Sequence, residues 1–208
     1  VVIVDVETGR VQRTIAPQQI EAISSLAWSP DGDALALSAT AGGITDLYRY
    51  SLDDGAVDRF TNDRYAELHP AYSPDGSRLA FTTDRPLDGA PMRLESVGRV
   101  GARIGVLDVD SREVRVLAIH PQATHTNPAF ASDGEAVIFV ADPNGVPNVY
   151  TADLDGGNPR RVTKVATGVS GFTALSPSIS LASARDRLAF TVYEDGGYRL
   201  HVIDNAFA

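Results

Sequence analysis

One phrase, written several times along the chain, constrains the fold more than any other feature. Its clearest copy is residues 70–82, Pro-Ala-Tyr-Ser-Pro-Asp-Gly-Ser-Arg-Leu-Ala-Phe-Thr. A short apolar run meets a tight turn, and an alternating run follows, which is typical of two antiparallel strands. Pro74 fixes φ at the second turn position, and Gly76 accepts the positive φ that closes a hairpin with a bulge. The phrase therefore predicts a β-hairpin.

The same phrase recurs at residues 27–37 and 129–139, and a fourth copy at residues 178–190 has lost its Pro-Asp-Gly turn. The matched positions are Leu35, Leu79, Val137 and Leu188, about 45 to 60 residues apart, a period that indicates propeller blades. A second hairpin accompanies each copy, with turns near residues 7–10, 53–55, 110–112 and 155–157. No segment shows the 3.6-residue apolar period of a helix.

The sequence therefore predicts an all-β fold, a β-propeller segment of four-stranded antiparallel blades within one domain, residues 1–208. The predicted blades are residues 1–16 (half), 18–61, 64–118, 122–164, and 172–205, which lacks the last strand. As an alternative, a ring of four blades closes if strand 11–15 completes the last blade, but strand 1–5 is then surplus. Eight residues are expected to be buried between blades: Trp28, Tyr72, Phe130, Ile179, Leu37, Phe81, Phe139 and Phe190.

Composition excludes several classes of function. The net charge of −9 disfavours binding to nucleic acid or to an anionic membrane surface, because both require clustered cations. No stretch approaches the ~20 apolar residues of a membrane span, so no membrane insertion is expected. The chain has no cysteine, and its four histidines occupy different blade positions without a metal-binding spacing. We expect no catalytic residue, no metal and no cofactor.

Four polar residues precede or begin the innermost strands of successive blades: Ser25, His69, Asn127 and Ser176. Propeller geometry places these positions around one mouth of the central channel. One interpretation is that they bond the backbone of neighbouring blades, since buried polar groups require partners. The other is that they contact a ligand or a peptide.

The connection at residues 84–103 is much longer than its equivalents in the other blades. It concentrates cations on an acidic chain and carries the single methionine; the candidate partner-binding residues are Arg85, Met92, Arg93, Arg99 and Arg103. Arginine is favoured at interface hot spots, because its planar fork bonds carboxylates while its stem packs on apolar surface. A long loop inside a compact repeat is either such a functional element or a disordered insertion, and both alternatives remain open.

Two stretches carry a family resemblance. Residues 73–81, Ser-Pro-Asp-Gly-Ser-Arg-Leu-Ala-Phe, and residues 142–163 resemble the repeats of TolB-like β-propellers, and the likeness covers nearly the whole chain. The chain departs from the pattern at Ala131 and Ser132, and in the fourth turn. The resemblance implies a segment of a larger six- or seven-bladed bacterial envelope protein, periplasmic or otherwise extracytoplasmic. It implies a platform for protein partners, or the non-catalytic partner of a peptidase domain.

The function expected from these features is a non-enzymatic, protein-binding scaffold of the bacterial cell envelope. Its partners are expected to be proteins, among them a membrane-protein complex on which the chain docks as an accessory or stabilising subunit. One alternative is the regulatory propeller of a peptidase whose catalytic domain lies outside this chain. The other is a small-molecule-binding propeller, which requires aromatic platforms at the channel mouth that the sequence does not predict.

Overall fold

The computed structural model describes residues 1–87, 101–173, 176–182 and 184–208. All regular secondary structure in the described residues is β-strand, and the strands form five antiparallel sheets. Sheet 1 contains β1 (Val2–Val4) and β2 (Val11–Thr14); sheet 2 contains β3 (Ala22–Trp28), β4 (Ala34–Ala41), β5 (Ile44–Ser51) and β6 (Val57–Arg59); sheet 3 contains β7 (Glu67–Tyr72), β8 (Arg78–Thr83), β9 (Arg103–Asp108) and β10 (Val114–Val116); sheet 4 contains β11 (His125–Phe130), β12 (Ala136–Ala141), β13 (Asn148–Asp153) and β14 (Arg160–Arg161); sheet 5 contains β15 (Ile179–Ala182), β16 (Arg187–Glu194) and β17 (Gly197–Ile203).

The predicted fold class is confirmed, because successive strands pair in chain order as a half blade, three four-stranded blades and a three-stranded sheet. The alternative ring of four blades is wrong. Strand β2 pairs with β1, with Ile3 opposite Arg13, instead of completing sheet 5. Among the described residues no helix has the length and apolar character needed to cross a membrane.

The repeated turn is held by its own side chains. In the third sheet the Ser73 hydroxyl donates to the Asp75 carboxylate, and the Arg78 N–H donates to Ser73 Oγ at 2.9 Å. The hydrogen bond from the Ser73 hydroxyl, followed by those from the Ser77 hydroxyl and N–H, lowers the pKa of Asp75 to about 2. Gly76 has a φ of 75°, which only glycine adopts without strain. The sequence therefore encodes each hairpin locally.

The turn of sheet 5 keeps the hairpin without the Pro-Asp-Gly sequence. The Arg185 N–H donates to the Ala182 carbonyl at 3.0 Å, and Asp186 adopts the positive φ, 48°. The Asp186 carboxylate also accepts the N–H and hydroxyl of Ser132, in the turn of sheet 4, at 2.8 and 2.7 Å. The residues that depart from the repeat, Ser132 in one turn and Asp186 in the next, therefore tie the two sheets together.

Four apolar clusters lie between successive sheets, and they form the core. Phe81 and Phe139 are fully buried, and Phe130, Ile179 and Phe190 are at most 8% exposed. In each cluster the second strand of one sheet packs on the sheet before it, as Phe81 packs with Leu47 and Phe60 of sheet 2. Face-to-face packing of sheets about 10 Å apart accounts for this arrangement.

The predicted burial of Trp28 is wrong, since 49% of this residue is exposed. Trp28 pairs with Leu35, and cross-strand partners share a face, so its ring lies on the side of sheet 2 that packs against sheet 1. Val1, Ile3 and Ile15, in and beside sheet 1, cover the outer part of that face, and Trp28 on the innermost strand β3 lies beyond their contacts. The equivalent Tyr72 is half-buried, packed on the cluster between sheets 2 and 3.

Candidate functional site

The innermost strands of sheets 2, 3 and 4 each contain a register irregularity near the predicted mouth residues. His69 and Asn127 occupy these irregularities with φ of 52° and 51°. Asparagine and histidine tolerate positive φ better than most residues. Pro70 and Pro128 follow them and have no N–H to donate to the ladder, so pairing is interrupted there. The sequence Asn-Pro or His-Pro thus fixes the backbone at the mouth.

Two of the predicted mouth residues bond the next sheet. The His69 N–H donates to Ser25 Oγ at 2.9 Å, and Asn127 Oδ1 accepts both the N–H and the hydroxyl of Ser178, at 3.2 and 2.8 Å. The His69 ring lies 3.4 Å from the Thr82 hydroxyl, measured from Nδ1 to Oγ1. The interpretation that the mouth residues bond the backbone of a neighbouring blade therefore holds for Ser25 and Asn127. These bonds join the mouth residues of one sheet to the backbone of the next.

Ser176 does not occupy the matching position, and the correction is a shift of two residues. Ile179 pairs with Phe190 as Leu26 pairs with Leu37, so Ser178 is the equivalent of Ser25. Ser176 instead shares a hydrogen bond with the Thr173 hydroxyl at 2.8 Å. The sequence prediction aligned Pro177 with the prolines of the other copies. In the other copies the mouth residue lies ten positions before the matched residue Leu35, Leu79 or Val137, and ten positions before Leu188 is Ser178.

Two cavities adjoin at the mouth, and Asn127 lines both. One, of about 360 Å³, lies between the innermost strands and is lined by Ser24, Ser25, Leu26, His69, Pro70, Asn127, Pro128, Ala129, Pro177, Ile179 and Leu181. The other, of about 430 Å³, lies between sheets 4 and 5; Ser176, Ser178 and Phe172 are among its lining residues. The structure therefore brings Ser25, His69 and Asn127 together, and places Ser176 in the neighbouring cavity.

An aromatic cluster lies beside the larger cavity and was not predicted. Phe172 is 69% exposed, and its ring centroid lies 4.4 Å from that of Tyr198, which in turn contacts Tyr193 at 5.3 Å. Phe172 lines the cavity between sheets 4 and 5, whereas the described residues that line the cavity at the innermost strands include no phenylalanine, tyrosine or tryptophan. No sequence signal marks this contact, because Phe172 lies in a connection and meets Tyr198 only after sheet 5 has formed.

The long connection begins with an arginine that is already bound. Arg85 Nη2 donates to the Asp63 carboxylate and to Glu67 Oε1, the latter at 3.0 Å, and its guanidinium lies 5.0 Å from the Tyr65 ring centroid. Arg103 donates to the carbonyls of Arg85 and Gly101 at 3.4 Å. Of the other predicted partner-binding residues, Met92, Arg93 and Arg99 lie outside the described residues. Arg85 is thus a cross-link at the base of this connection with 15% of its side chain exposed, and its role in partner binding stays a prediction.

The carboxyl group that Arg85 meets is fully buried. Glu67 begins β7, and the Thr61 hydroxyl lies 2.9 Å from Glu67 Oε2 and 3.2 Å from Oδ1 of the buried Asp46. Arg59 pairs with Asp46 from the solvent side. Burial raises the pKa of Glu67 to about 8, against the opposing effects of Arg85 and the Thr61 hydroxyl. Two buried carboxyl groups therefore share one hydroxyl between sheets 2 and 3.

Replacing Arg85 by methionine is expected to reduce stability by roughly 1 to 3 kcal/mol, because hydrogen bonds to charged groups contribute about that much. The matched control is Arg103→Met, which, among the residues that the structure describes, removes two long bonds to carbonyls. Its effect should stay within about 0.5 kcal/mol. Urea unfolding at pH 7 measures both changes. Equal midpoints for the two variants would show that the contacts of Arg85 do not stabilise the fold.

Within residues 1–87, 101–173, 176–182 and 184–208, no three histidine, aspartate or glutamate side chains are grouped to hold a metal ion. The arrangement around the mouth consists of short hydroxyls, an amide, an imidazole and prolines. Such groups position hydrogen bonds to a bound chain or ligand.

Comparison with curated proteins shows what the chain is similar to. No protein-family model matches it. It is 28% identical over 173 residues to a Protein TolB homolog of Chlorobium luteolum, covering 83% of this chain and 34% of that protein. It is 23% identical over 152 residues to a Tol-Pal system protein TolB of Francisella tularensis subsp. mediasiatica, covering 73% of this chain and 32% of that protein. The chain spans about a third of the length of these curated relatives.

Solved structures show the same fold. TolB from Acinetobacter baumannii superposes with a TM-score of 0.68 at 22% identity, covering 88% of this chain and 41% of that one. A puromycin-hydrolyzing peptidase of Mycobacterium tuberculosis superposes with a TM-score of 0.65 at 20% identity, covering 91% of this chain and 30% of that one. The blade architecture is thus shared between TolB and a peptidase.

Proposed function

We propose that this chain, whose repeats are those of a TolB-like β-propeller, is part of a non-enzymatic, protein-binding propeller of the bacterial cell envelope. It acts outside the cytoplasm as an accessory or stabilising subunit docked on a membrane-associated protein complex. The observation that carries the proposal is the match, over 73% of the chain, to a protein described as part of the Tol-Pal system. The second match, to a TolB homolog, supports the same assignment.

The geometry of the mouth supports a binding role. The side chains of Ser25 and Asn127 already form hydrogen bonds between sheets in the free chain. Binding of a partner therefore does not have to order them, which lowers the entropic cost of binding. The adjoining cavities leave room for a partner's side chains, with His69 and Phe172 at their walls. A preformed concave surface with few polar groups is the usual form of a recognition site.

Affinity purification from the envelope fraction of the source bacterium tests the proposal. The tagged chain is expected to retain proteins of the Tol-Pal system, identified by mass spectrometry. His69→Ala should weaken that retention by roughly tenfold, which corresponds to about 1.4 kcal/mol. The control is Arg10→Ala in the exposed turn of sheet 1, which should have no effect. If no Tol-Pal protein is retained by the unaltered chain, the proposed function is wrong.

A second candidate is the regulatory propeller of a peptidase, which the superposition on the Mycobacterium tuberculosis peptidase favours. The two candidates differ in the polypeptide to which the blades belong. The intact mass of the native protein, with tandem mass spectrometry of its remaining sequence, distinguishes them. A serine-peptidase domain on the same polypeptide would support the second candidate and contradict the first. In either case we propose that the 208 residues themselves catalyse no hydrolysis.

A further inference from the structure

Hydrogen bonds join the start of β7 to sheet 2. The Ser38 hydroxyl of β4 donates to the Glu67 carbonyl at 2.6 Å, and the Thr61 hydroxyl, just after β6, lies 2.9 Å from Glu67 Oε2. Two residues further along β7, the His69 N–H donates to Ser25 Oγ at the mouth. The first residues of β7 therefore connect a buried carboxyl group to the backbone of the mouth.

The Thr61 hydroxyl lies between two fully buried carboxyl groups, those of Asp46 and Glu67. Its oxygen accepts the Leu47 N–H at 3.0 Å and lies 3.2 Å from Asp46 Oδ1 and 2.9 Å from Glu67 Oε2. A hydroxyl has one proton to donate, whereas an ionised carboxyl group only accepts. Both contacts are hydrogen bonds only if one of the two carboxyl groups carries a proton and donates it to Thr61.

The neighbouring arginines place that proton on Glu67. Arg59 pairs with Asp46, whereas Arg85 divides its charge between Glu67 and Asp63. A nearby opposite charge favours the ionised form of a carboxyl group, so Asp46 is the one that ionises. Burial raises the pKa of Glu67 to about 8, in agreement with this placement of the proton.

The hydrogen bonds then run in one direction. Glu67 Oε2 donates to Thr61, Thr61 donates to Asp46 Oδ1, and Glu67 Oε1 accepts from Arg85 Nη2 at 3.0 Å. In the described residues, the charged and titratable groups around these bonds are Asp46 on β5, Arg59 on β6, Asp63 before β7, His69 on β7, and Asp84 and Arg85 after β8.

Loss of the Glu67 proton removes one of these bonds. The single proton of Thr61 then serves two carboxylates, so either Asp46 or Glu67 faces the hydroxyl oxygen with no proton between them. A buried charge without a hydrogen bond is costly. Movement of Glu67 away from Thr61 relieves this cost, and the backbone of β7 transmits the movement to His69.

We propose that Glu67 is a proton-dependent latch for the mouth. With its proton, Glu67 donates to Thr61 and holds the start of β7 on sheet 2, so that the His69 N–H reaches Ser25. Without the proton, Glu67 moves away from Thr61, and the bond between His69 and Ser25 opens. The regulation of binding by this latch rests on the proposed function: a partner that recognises the closed mouth is bound less tightly once the latch opens.

Exchange of the His69 amide proton with water, measured by NMR on the ¹⁵N-labelled chain, reports whether the latch is closed. The reference is Glu67→Gln, whose side-chain amide donates to Thr61 at every pH. At pH 6 the His69 amide should exchange at the same rate in both proteins. At pH 9 it should exchange at least about tenfold faster in the unaltered chain, because its hydrogen bond opens locally.

The Ser178 amide is the control within the same molecule. It donates to Asn127 Oδ1 in the equivalent bond between sheets 4 and 5, and its exchange should not differ between the two proteins. Equal acceleration of both amides would show a loss of stability in the whole chain, and equal His69 rates at pH 9 would show no opening. Either result overturns the latch. The ratio of the His69 and Ser178 rates in the unaltered chain needs no variant, so the test holds even if Glu67→Gln fails to fold.

Retention of Tol-Pal proteins by the tagged chain tests the consequence for binding. About tenfold less protein should be retained at pH 9 than at pH 6, and Glu67→Gln should remove this difference. Equal retention at both pH values by the unaltered chain would contradict regulation of the mouth. If no Tol-Pal protein is retained at either pH, the proposed function is wrong, and the exchange of the His69 amide still decides whether the latch exists.

Discussion

Truncating Phe81 to alanine is expected to cost about 3 to 5 kcal/mol in the free energy of unfolding. Phe81 is completely buried in the cluster between sheets 2 and 3, where it packs with Leu47, Phe60 and Leu107. A protein of this size has a stability of only about 5 to 15 kcal/mol, so the variant retains a small margin. Urea unfolding at neutral pH, followed by circular dichroism, measures the change.

The position opposite Phe81 shows how closely the ring is packed. Gly105 pairs with Phe81 across β8 and β9, and a Cβ built on Gly105 would lie 2.6 Å from Cζ of the Phe81 ring. Only glycine leaves room for the ring at this point. Because no side chain projects from Gly105, the position opposite Phe81, removal of the ring leaves a cavity that neighbouring side chains fill only in part, which is the condition for a large cost.

Trp28→Ala is the matched control, since it removes a larger aromatic ring from an equivalent hairpin. Trp28 is half exposed, so its truncation should cost about 1 kcal/mol or less. A loss for Phe81→Ala no larger than that for Trp28→Ala would contradict the assignment of the inter-sheet clusters. A large loss for Trp28→Ala would instead show that the inner part of sheet 2 is covered in solution.

The contrast between Phe81 and Trp28 also shows what the sequence can predict. Ser-Pro-Asp-Gly turns and alternating strands are local signals, so the hairpins, their grouping into sheets and the all-β fold follow from the repeat. Burial is a property of the neighbouring sheet. Trp28 and Phe130 occupy the same place in the repeat, but four strands of sheet 3 face Phe130 and two strands of sheet 1 face Trp28.

The sequence predicts the residues of the candidate site correctly where the copies of the repeated phrase are regular. Ser25, His69 and Asn127 precede the same strand position in regular copies, and the structure brings them together. In the degenerate copy Pro177 precedes the mouth position instead of following it, so the sequence predicts Ser176 where the structure has Ser178. Contacts between a connection and a strand, such as Phe172 with Tyr198 or Arg85 with Glu67, have no fixed spacing in sequence. Sequence periodicity contains no information about them.

The second large effect concerns Glu67 and should appear as a dependence of stability on pH. The pKa of Glu67 is about 8 in the folded chain, against an ordinary value of 4.5, because burial disfavours the carboxylate. Between those two pH values the folded state retains a proton that the unfolded state has released. Stability must therefore fall as the pH rises through this range, and the loss is complete above the folded pKa.

Glu67→Gln isolates this contribution, because glutamine is similar in shape and does not ionise. Relative to the variant, the unaltered chain should lose on the order of 4 kcal/mol between pH 5 and pH 9. His125 and Tyr48 are present in both proteins, so their contributions to the pH dependence of stability cancel in the comparison. Burial lowers the pKa of His125 below 6.5, so its contribution changes with the opposite sign at acid pH. Burial raises the pKa of Tyr48 above 10.

Urea unfolding of both proteins at pH 5, 7 and 9 measures the effect. The unaltered chain should become progressively less stable relative to Glu67→Gln, and the variant should be the more stable of the two at pH 9.

The sign of this change with pH distinguishes two roles for the contact with Arg85. If the ion pair outweighed burial, the pKa of Glu67 would lie below 4.5 and the unaltered chain would gain stability on the variant as the pH rose from acid values. If the stability of the unaltered chain relative to Glu67→Gln instead falls towards pH 9, the cost of burying the carboxylate exceeds the stabilisation that Arg85 and Thr61 give it. Glu67 is then protonated between sheets 2 and 3 at neutral pH.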